Sequence, residues 1–167
     1  MSTDKKTYSR REFVRDSAVA LGGVALAPRL LAAQETSSMK TDKKIRIGVV
    51  GGGFGTQFYW NEHPNCIVEA VSDLREDRLA QLQARYPAIG TTRDYRDIIA
   101  NPLIDAVVIA TPVSTHFELA LQALQAGKHV LVEKPLVATV EQGLRLRDEA
   151  ARRQRVLMVD HTFVYTG

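Results

Sequence analysis

Ile45-Arg46-Ile47-Gly48-Val49-Val50-Gly51-Gly52-Gly53-Phe54-Gly55-Thr56 is the stretch that decides the fold. Its first six residues form a short, β-branched run, the composition of a strand, which leads without a break into a glycine turn. A strand ending in glycines has the geometry a pyrophosphate needs. Gly51 allows the tight turn and Gly53 lets the backbone approach the phosphates. A helix after the turn is expected to present its N-terminal amides and positive dipole end to the anion. In a G-x-G-x-x-G register, Phe54 and Gly55 occupy the variable positions and Thr56 stands where Gly or Ala is usual. Close helix packing must then be met in another way. A plain glycine-rich turn is the competing reading of this segment alone.

The next strand, Ile67-Val68-Glu69-Ala70-Val71-Ser72, delivers Asp73 about 20 residues beyond the glycines, the spacing of a dinucleotide fingerprint. A carboxylate there accepts hydrogen bonds from both ribose hydroxyls of NAD and repels a 2′-phosphate. Arg75 close by would suit NADP, so NAD is favoured and NADP stays open. Asp73 could equally cap a helix beginning at Leu74.

Further along, the pattern predicts helices over Arg75 to Tyr86 and Tyr95 to Ala100, with a short strand from Gly90 to Thr92 between them. Asp105 to Ala110 shows no polar alternation, as in a strand buried on both faces. It stops at Thr111-Pro112, and Thr115-His116 opens a helix that runs to Ala126 and is closed by Gly127. Lys128 to Val132 is the next strand, followed by Glu133-Lys134-Pro135, a helix from Glu141 to Gln154 and a strand from Val156 to Asp160. Alternation of this kind implies an α/β fold, a doubly wound parallel Rossmann sheet with helices on both faces. Ligands of such sheets lie beyond the carboxyl ends of the strands, which puts Ala110, Thr111 and Pro112 at the crevice. An ammonium at that edge, Lys134, could stabilise a developing alkoxide. His116 orients the cofactor loop or simply packs, and His161, just past the last strand, is a candidate to face substrate.

Charge separates the ends of the chain. The net charge is +3, and Met1 to Ala33 carries all of it: six basic residues against three acidic ones, leaving 16 of each sign in the remainder. With no basic patch left over, nucleic acid is not an expected partner. Cys66 is the only cysteine, so neither an intramolecular disulfide nor a thiolate zinc cluster can form, and no metal is expected. Ser9-Arg10-Arg11-Glu12-Phe13-Val14 precedes an apolar stretch from Ala18 to Ala27, the order of a secretory leader. It resembles a twin-arginine (Tat) signal, with Val14 in place of the commoner Leu. The apolar run is broken by Gly22 and Gly23 and is far short of the ~20 residues a membrane span requires. The expected organisation is a leader over 1–33, a polar linker over 34–44 and a dinucleotide-binding domain over 45–167. Export by the Tat machinery to the periplasm follows, with membrane tethering if the leader stays uncleaved.

From Lys44 onward the chain resembles the N-terminal domain of the Gfo/Idh/MocA oxidoreductases, relatives of glucose-fructose oxidoreductase and inositol dehydrogenase. The resemblance rests on the Gly51 turn, Asp73, Ala110-Thr111-Pro112 with Thr115-His116, and above all Ala126-Gly127-Lys128-His129-Val130-Leu131-Val132-Glu133-Lys134-Pro135. It implies hydride transfer between a nicotinamide and a carbon of a sugar, polyol or nucleotide sugar. By the same resemblance Lys134 is the catalytic residue, lying beside nicotinamide and substrate. Glu133 and Pro135 fix its position, and a cis peptide often precedes the proline. Family members continue into a second α/β domain that binds substrate, supplies the acid and base, and forms the interface of a homo-oligomer. The chain ends at Gly167, where that domain would start, which makes a fragment or truncated product the expectation. Two rival readings are a non-catalytic exported dinucleotide-binding module and another Rossmann enzyme such as a methyltransferase; Glu133-Lys134-Pro135 speaks against the latter.

Overall fold

A computed structural model of the protein describes residues 42–87 and 90–161. The leader and all but the last three residues of the linker lie outside them.

Six strands form one parallel sheet: β1 Ile45–Val50, β2 Cys66–Ser72, β3 Gly90–Thr92, β4 Ala106–Ile109, β5 His129–Glu133 and β6 Leu157–Asp160. The order β3-β2-β1-β4-β5-β6 is that of the doubly wound dinucleotide-binding fold. The chain reverses direction of travel at β1 and β4, so their carboxyl ends open a crevice between Gly51 and Ala110. Four helices connect the strands: α1 Glu76–Arg85, α2 Tyr95–Ala100, α3 Val113–Gln125 and α4 Val140–Arg153.

Both sheet faces are buried, which is why the strands read as nearly continuous apolar runs. Val50, Val107, Ile109, Val130 and Val132 point toward α3 and α4 and pack with Leu119, Leu124 and Leu146. Ile47, Val49, Val68, Val71 and Val108 point the other way, onto Leu82 and Tyr86 of the α1 layer. Lys128 is also buried. Its Nζ donates to the carbonyls of Asn101 and Ile104 at 2.7 and 2.8 Å, closing the α2–β4 loop onto the start of β5.

The predicted elements stand, with ends shifted by one or two residues. The local chemistry accounts for the boundaries. Asp94 caps α2 by accepting from Arg96 N, and Thr139 caps α4 by accepting from Gln142 N. Glu76 and Asp77 in the first turn of α1, with Arg85 in its last, complement the helix dipole.

One expectation fails. No α-helix follows the glycine turn. Instead the chain makes a three-residue 3-10 helix, Gly55–Gln57, and another, Trp60–Glu62. Two carbonyls of this segment accept from side chains of α1 and its end. Tyr86 Oη donates to Gly55 O at 2.7 Å and Phe58 O at 2.9 Å, and Arg85 Nε donates to Phe58 O at 3.1 Å. Phe58 and Trp60 stack with ring centroids 5.1 Å apart, which the aromatic run Phe58-Tyr59-Trp60 makes possible.

Candidate nucleotide-binding site

The glycine turn is built by steric exclusion. Gly51 has φ +102°, and a Cβ there would sit 2.4 Å from Ala110 O, so β1 and β4 can meet at the crevice only through a glycine. A Cβ on Gly52 would lie 2.8 Å from Arg78 Cβ of α1, whereas Gly53 faces open space with only the Arg78 guanidinium near, at 3.6 Å. Gly55 is buried 3.0 Å from Val49 Cγ1 when given a Cβ, and thus takes the close-packing role that Thr56 leaves vacant in the expected register.

Asp73 holds this turn from the end of β2. Its Oδ2 accepts from Gly52 N at 2.6 Å and its Oδ1 from Arg75 N at 2.8 Å. The second bond closes a local turn, and Arg75, in extended conformation, is the residue preceding α1. Asp73 is therefore not the helix cap. Both carboxylate oxygens keep lone pairs for further donors. Arg75 is held by Asp77 through Nε at 3.0 Å and Nη2 at 2.6 Å. That hydrogen bond raises the guanidinium pKa above its usual value and lowers that of the Asp77 carboxyl.

Asp73 and Arg75 border a cleft of about 550 Å³ at the carboxyl edge, together with Gly51, Ala110, Thr111 and Pro112. Sequence reasoning missed several of its walls: Ser72, Leu74, Arg78, Arg93, Asp94, Tyr95, Arg96, Thr115 and Leu119. Tyr95 and its neighbours could have been found, because they follow β3 at the same edge as Asp73. Ser72 Oγ is buried with no hydrogen-bond partner among the described residues. Thr115 Oγ1 donates to Pro112 O at 2.8 Å, so the 2.8 Å contact between the two threonine hydroxyls is donated by Thr111.

Gly53, Phe54, Gly55, Thr56, His116 and Glu133-Lys134-Pro135 lie outside the cleft lining. His116 is 1% exposed and bridges two segments of the edge: Nδ1 lies 2.9 Å from Pro135 O and Nε2 2.8 Å from Thr111 O. It is a tie between loops and presents no ring atom to a ligand. The Lys134–Pro135 peptide is cis, as the resemblance implied. Lys134 is exposed, with Nζ 3.4 Å from Oε1 of the buried Glu133. Glu133 and Asp160 are neighbours across β5 and β6, and each has a buried carboxylate oxygen with no partner among the described residues. His161 is exposed just past β6, its backbone N–H bonded to Val159 O at 3.0 Å.

The residues fit a dinucleotide: a side-chain-free turn at Gly51–Gly53 whose first glycine lines the cleft, an acid tied to it, and a cleft-lining Ser72 hydroxyl without a partner among the described residues. Among the described residues no group of three or more His, Cys, Asp or Glu could hold a metal.

Fold and site together define a dinucleotide-binding Rossmann domain. The chain belongs to the Gfo/Idh/MocA family, an oxidoreductase family with an NAD-binding Rossmann fold, whose model matches residues 45–161. Levoglucosan dehydrogenase of Pseudarthrobacter phenanthrenivorans is 30% identical over 70% of this chain and 33% of its own length. The NADP(+)-dependent scyllo-inositol 2-dehydrogenase of Bacillus subtilis is 29% identical over 70% of this chain and 33% of its own. Among solved structures, GenD2 of gentamicin A biosynthesis in complex with NAD superposes with a TM-score of 0.70 at 34% identity, covering 74% of this chain and 36% of that one. A 3-ketoreductase of Actinomadura kijaniata with NADP and TDP-benzene gives 0.68 at 31% identity, covering 74% and 39%. The chain thus spans about a third of the length of the curated relatives it matches.

Proposed function

We propose that this chain is the cofactor-binding part of an oxidoreductase that moves a hydride between a nicotinamide dinucleotide and a hydroxyl or carbonyl carbon of a sugar, polyol or nucleotide sugar. The observation that carries this reading is the convergence on one sheet edge of a glycine turn bonded to Asp73 and the ammonium of Lys134. The dinucleotide, when bound, supplies the hydride acceptor or donor.

The chain's own residues do the rest. Gly51 to Gly53 admit the phosphates, with Phe54 to Thr56 continuing the turn, and Asp73 accepts from the adenosine ribose. Ala110 to Pro112 wall the crevice. Lys134 donates a hydrogen bond to the reacting oxygen and favours its negatively charged form. Glu133 anchors the ammonium, His116 and Pro135 hold the lysine loop against the Thr111 turn, and His161 faces substrate. Asp73 disfavours a 2′-phosphate and Arg75 is already engaged by Asp77, so NAD is the preferred cofactor.

Calorimetric titration with NAD, NADP and S-adenosylmethionine tests this. NAD should bind tightest, and binding of S-adenosylmethionine alone would sink the reading. A non-catalytic exported module is the rival. It predicts that the whole protein, loaded with NAD and offered sugars and polyols, never reduces its cofactor.

The Arg10-Arg11 leader supports Tat export of the folded, cofactor-loaded protein to the periplasm, and the whole protein is expected to be a homo-oligomer. Replacing both arginines by lysine should strand the protein in the cytoplasm, as read by cell fractionation.

A further inference from the structure

Lacking an α-helix after its glycines, the turn lacks the helix dipole that would meet an anion there. A three-residue 3-10 helix is too short to substitute. A dinucleotide still brings two phosphates to this edge, and their charge needs a counterpart.

Four arginines border the cleft. Arg75 is paired with Asp77 at 2.6 Å, Arg93 with Glu76 at 3.2 Å and Arg96 with Asp94 at 3.3 Å. Arg78 differs: among the described residues its side chain has no carboxylate or other acceptor, and it is partly buried. Its position is fixed by packing, because its Cβ and carbonyl oxygen both lie 2.8 Å from where a Cβ on Gly52 would stand. The guanidinium then reaches along the turn to within 3.6 Å of the corresponding point on Gly53, the glycine with open space before it. An unpaired, preorganised guanidinium beside a side-chain-free backbone is a phosphate-binding arrangement.

We propose that Arg78 is a cofactor-binding residue that contacts the pyrophosphate of the dinucleotide and supplies the positive charge a helix N-terminus would otherwise provide. The proposal rests on the nucleotide reading given above. The 2′-phosphate of NADP offers the same chemistry. The pyrophosphate is favoured because Arg78 lies at Gly53, while the ribose end of the cleft is held by the Asp73 carboxylate.

Calorimetry on the full chain separates these sources, using wild type, Arg78→Met and Arg78→Lys with NAD and NADP, and ligand-observed NMR with adenosine, which carries no phosphate. Arg78→Met should weaken NAD and NADP alike, by about 10- to 100-fold, with a shallower salt dependence and unchanged adenosine binding. Arg78→Lys should recover part of the loss, and it serves as the reporter if the methionine variant does not fold. A loss confined to NADP would overturn the pyrophosphate assignment, and a loss that extends equally to adenosine would make the role structural. Wild type that binds NAD beside an Arg78→Met variant that binds it equally well would sink this proposal alone. Wild type that binds neither dinucleotide would sink the nucleotide reading with it.

Discussion

Gly51 concentrates the most restrictive chemistry of the molecule in one atom. A side chain there would face both a positive φ and a carbonyl 2.4 Å away. Gly51→Ala should therefore cost about 1–3 kcal/mol in backbone strain alone, with more from the clash, and should abolish NAD binding. Urea denaturation and calorimetry read the two effects. Lys134 is the opposite case: exposed, and paired among the described residues with Glu133 alone. Lys134→Met should leave stability and NAD affinity nearly unchanged while lowering kcat of the whole protein by roughly 10²- to 10⁴-fold, the range for losing a positioned acid–base or charge-stabilising group. Equal loss in kcat and in cofactor affinity would place the lysine at the nucleotide instead.

At the scale of elements, caps explain where helices stop, and one of them is strained. Gln154 ends α4 in the left-handed region, φ 55° and ψ 45°, a conformation that glycine adopts without a Cβ penalty. Gln154→Gly should stabilise the domain by about 0.5–1 kcal/mol, visible as a raised denaturation midpoint with an unchanged slope. The loop after the glycine turn depends on Tyr86. Its hydroxyl is buried and donates to two loop carbonyls, and burial pushes its pKa up to about 12 from 10.0. An acid whose folded pKa is raised stabilises the fold fully below its unfolded pKa. That contribution fades as pH climbs from 10 to 12, where the unfolded chain has lost the proton and the folded one keeps it. Stability should fall over that window in wild type. Tyr86→Phe should be less stable at neutral pH and should lack this part of the alkaline decline, as followed by urea denaturation at successive pH values. Where a helix is expected after Gly53, periodicity within the segment could not reveal that the loop packs against a tyrosine about 30 residues away.

Across the whole molecule, the sheet order brings β1 and β4 together at a topological switch point, and the candidate residues gather along the carboxyl edge that this order creates. Strand positions, the glycine turn, Asp73 and Glu133-Lys134-Pro135 were legible in the sequence because each depends on residues close in the chain: β-branched runs, glycines, and a fixed spacing of about 20 residues. Local chemistry by itself determined the fold class, the cofactor class and the family. What only the tertiary structure decided were meetings between distant segments. Asp73 reaches Gly52, His116 spans Thr111 and Pro135, Gly55 rather than Thr56 provides the close packing, and Arg78, unpaired among the described residues, stands beside Gly53. These depend on which face each helix turns to the sheet and on which carbonyls and carboxylates are already satisfied. Both are settled only when all six strands and their helices pack at once.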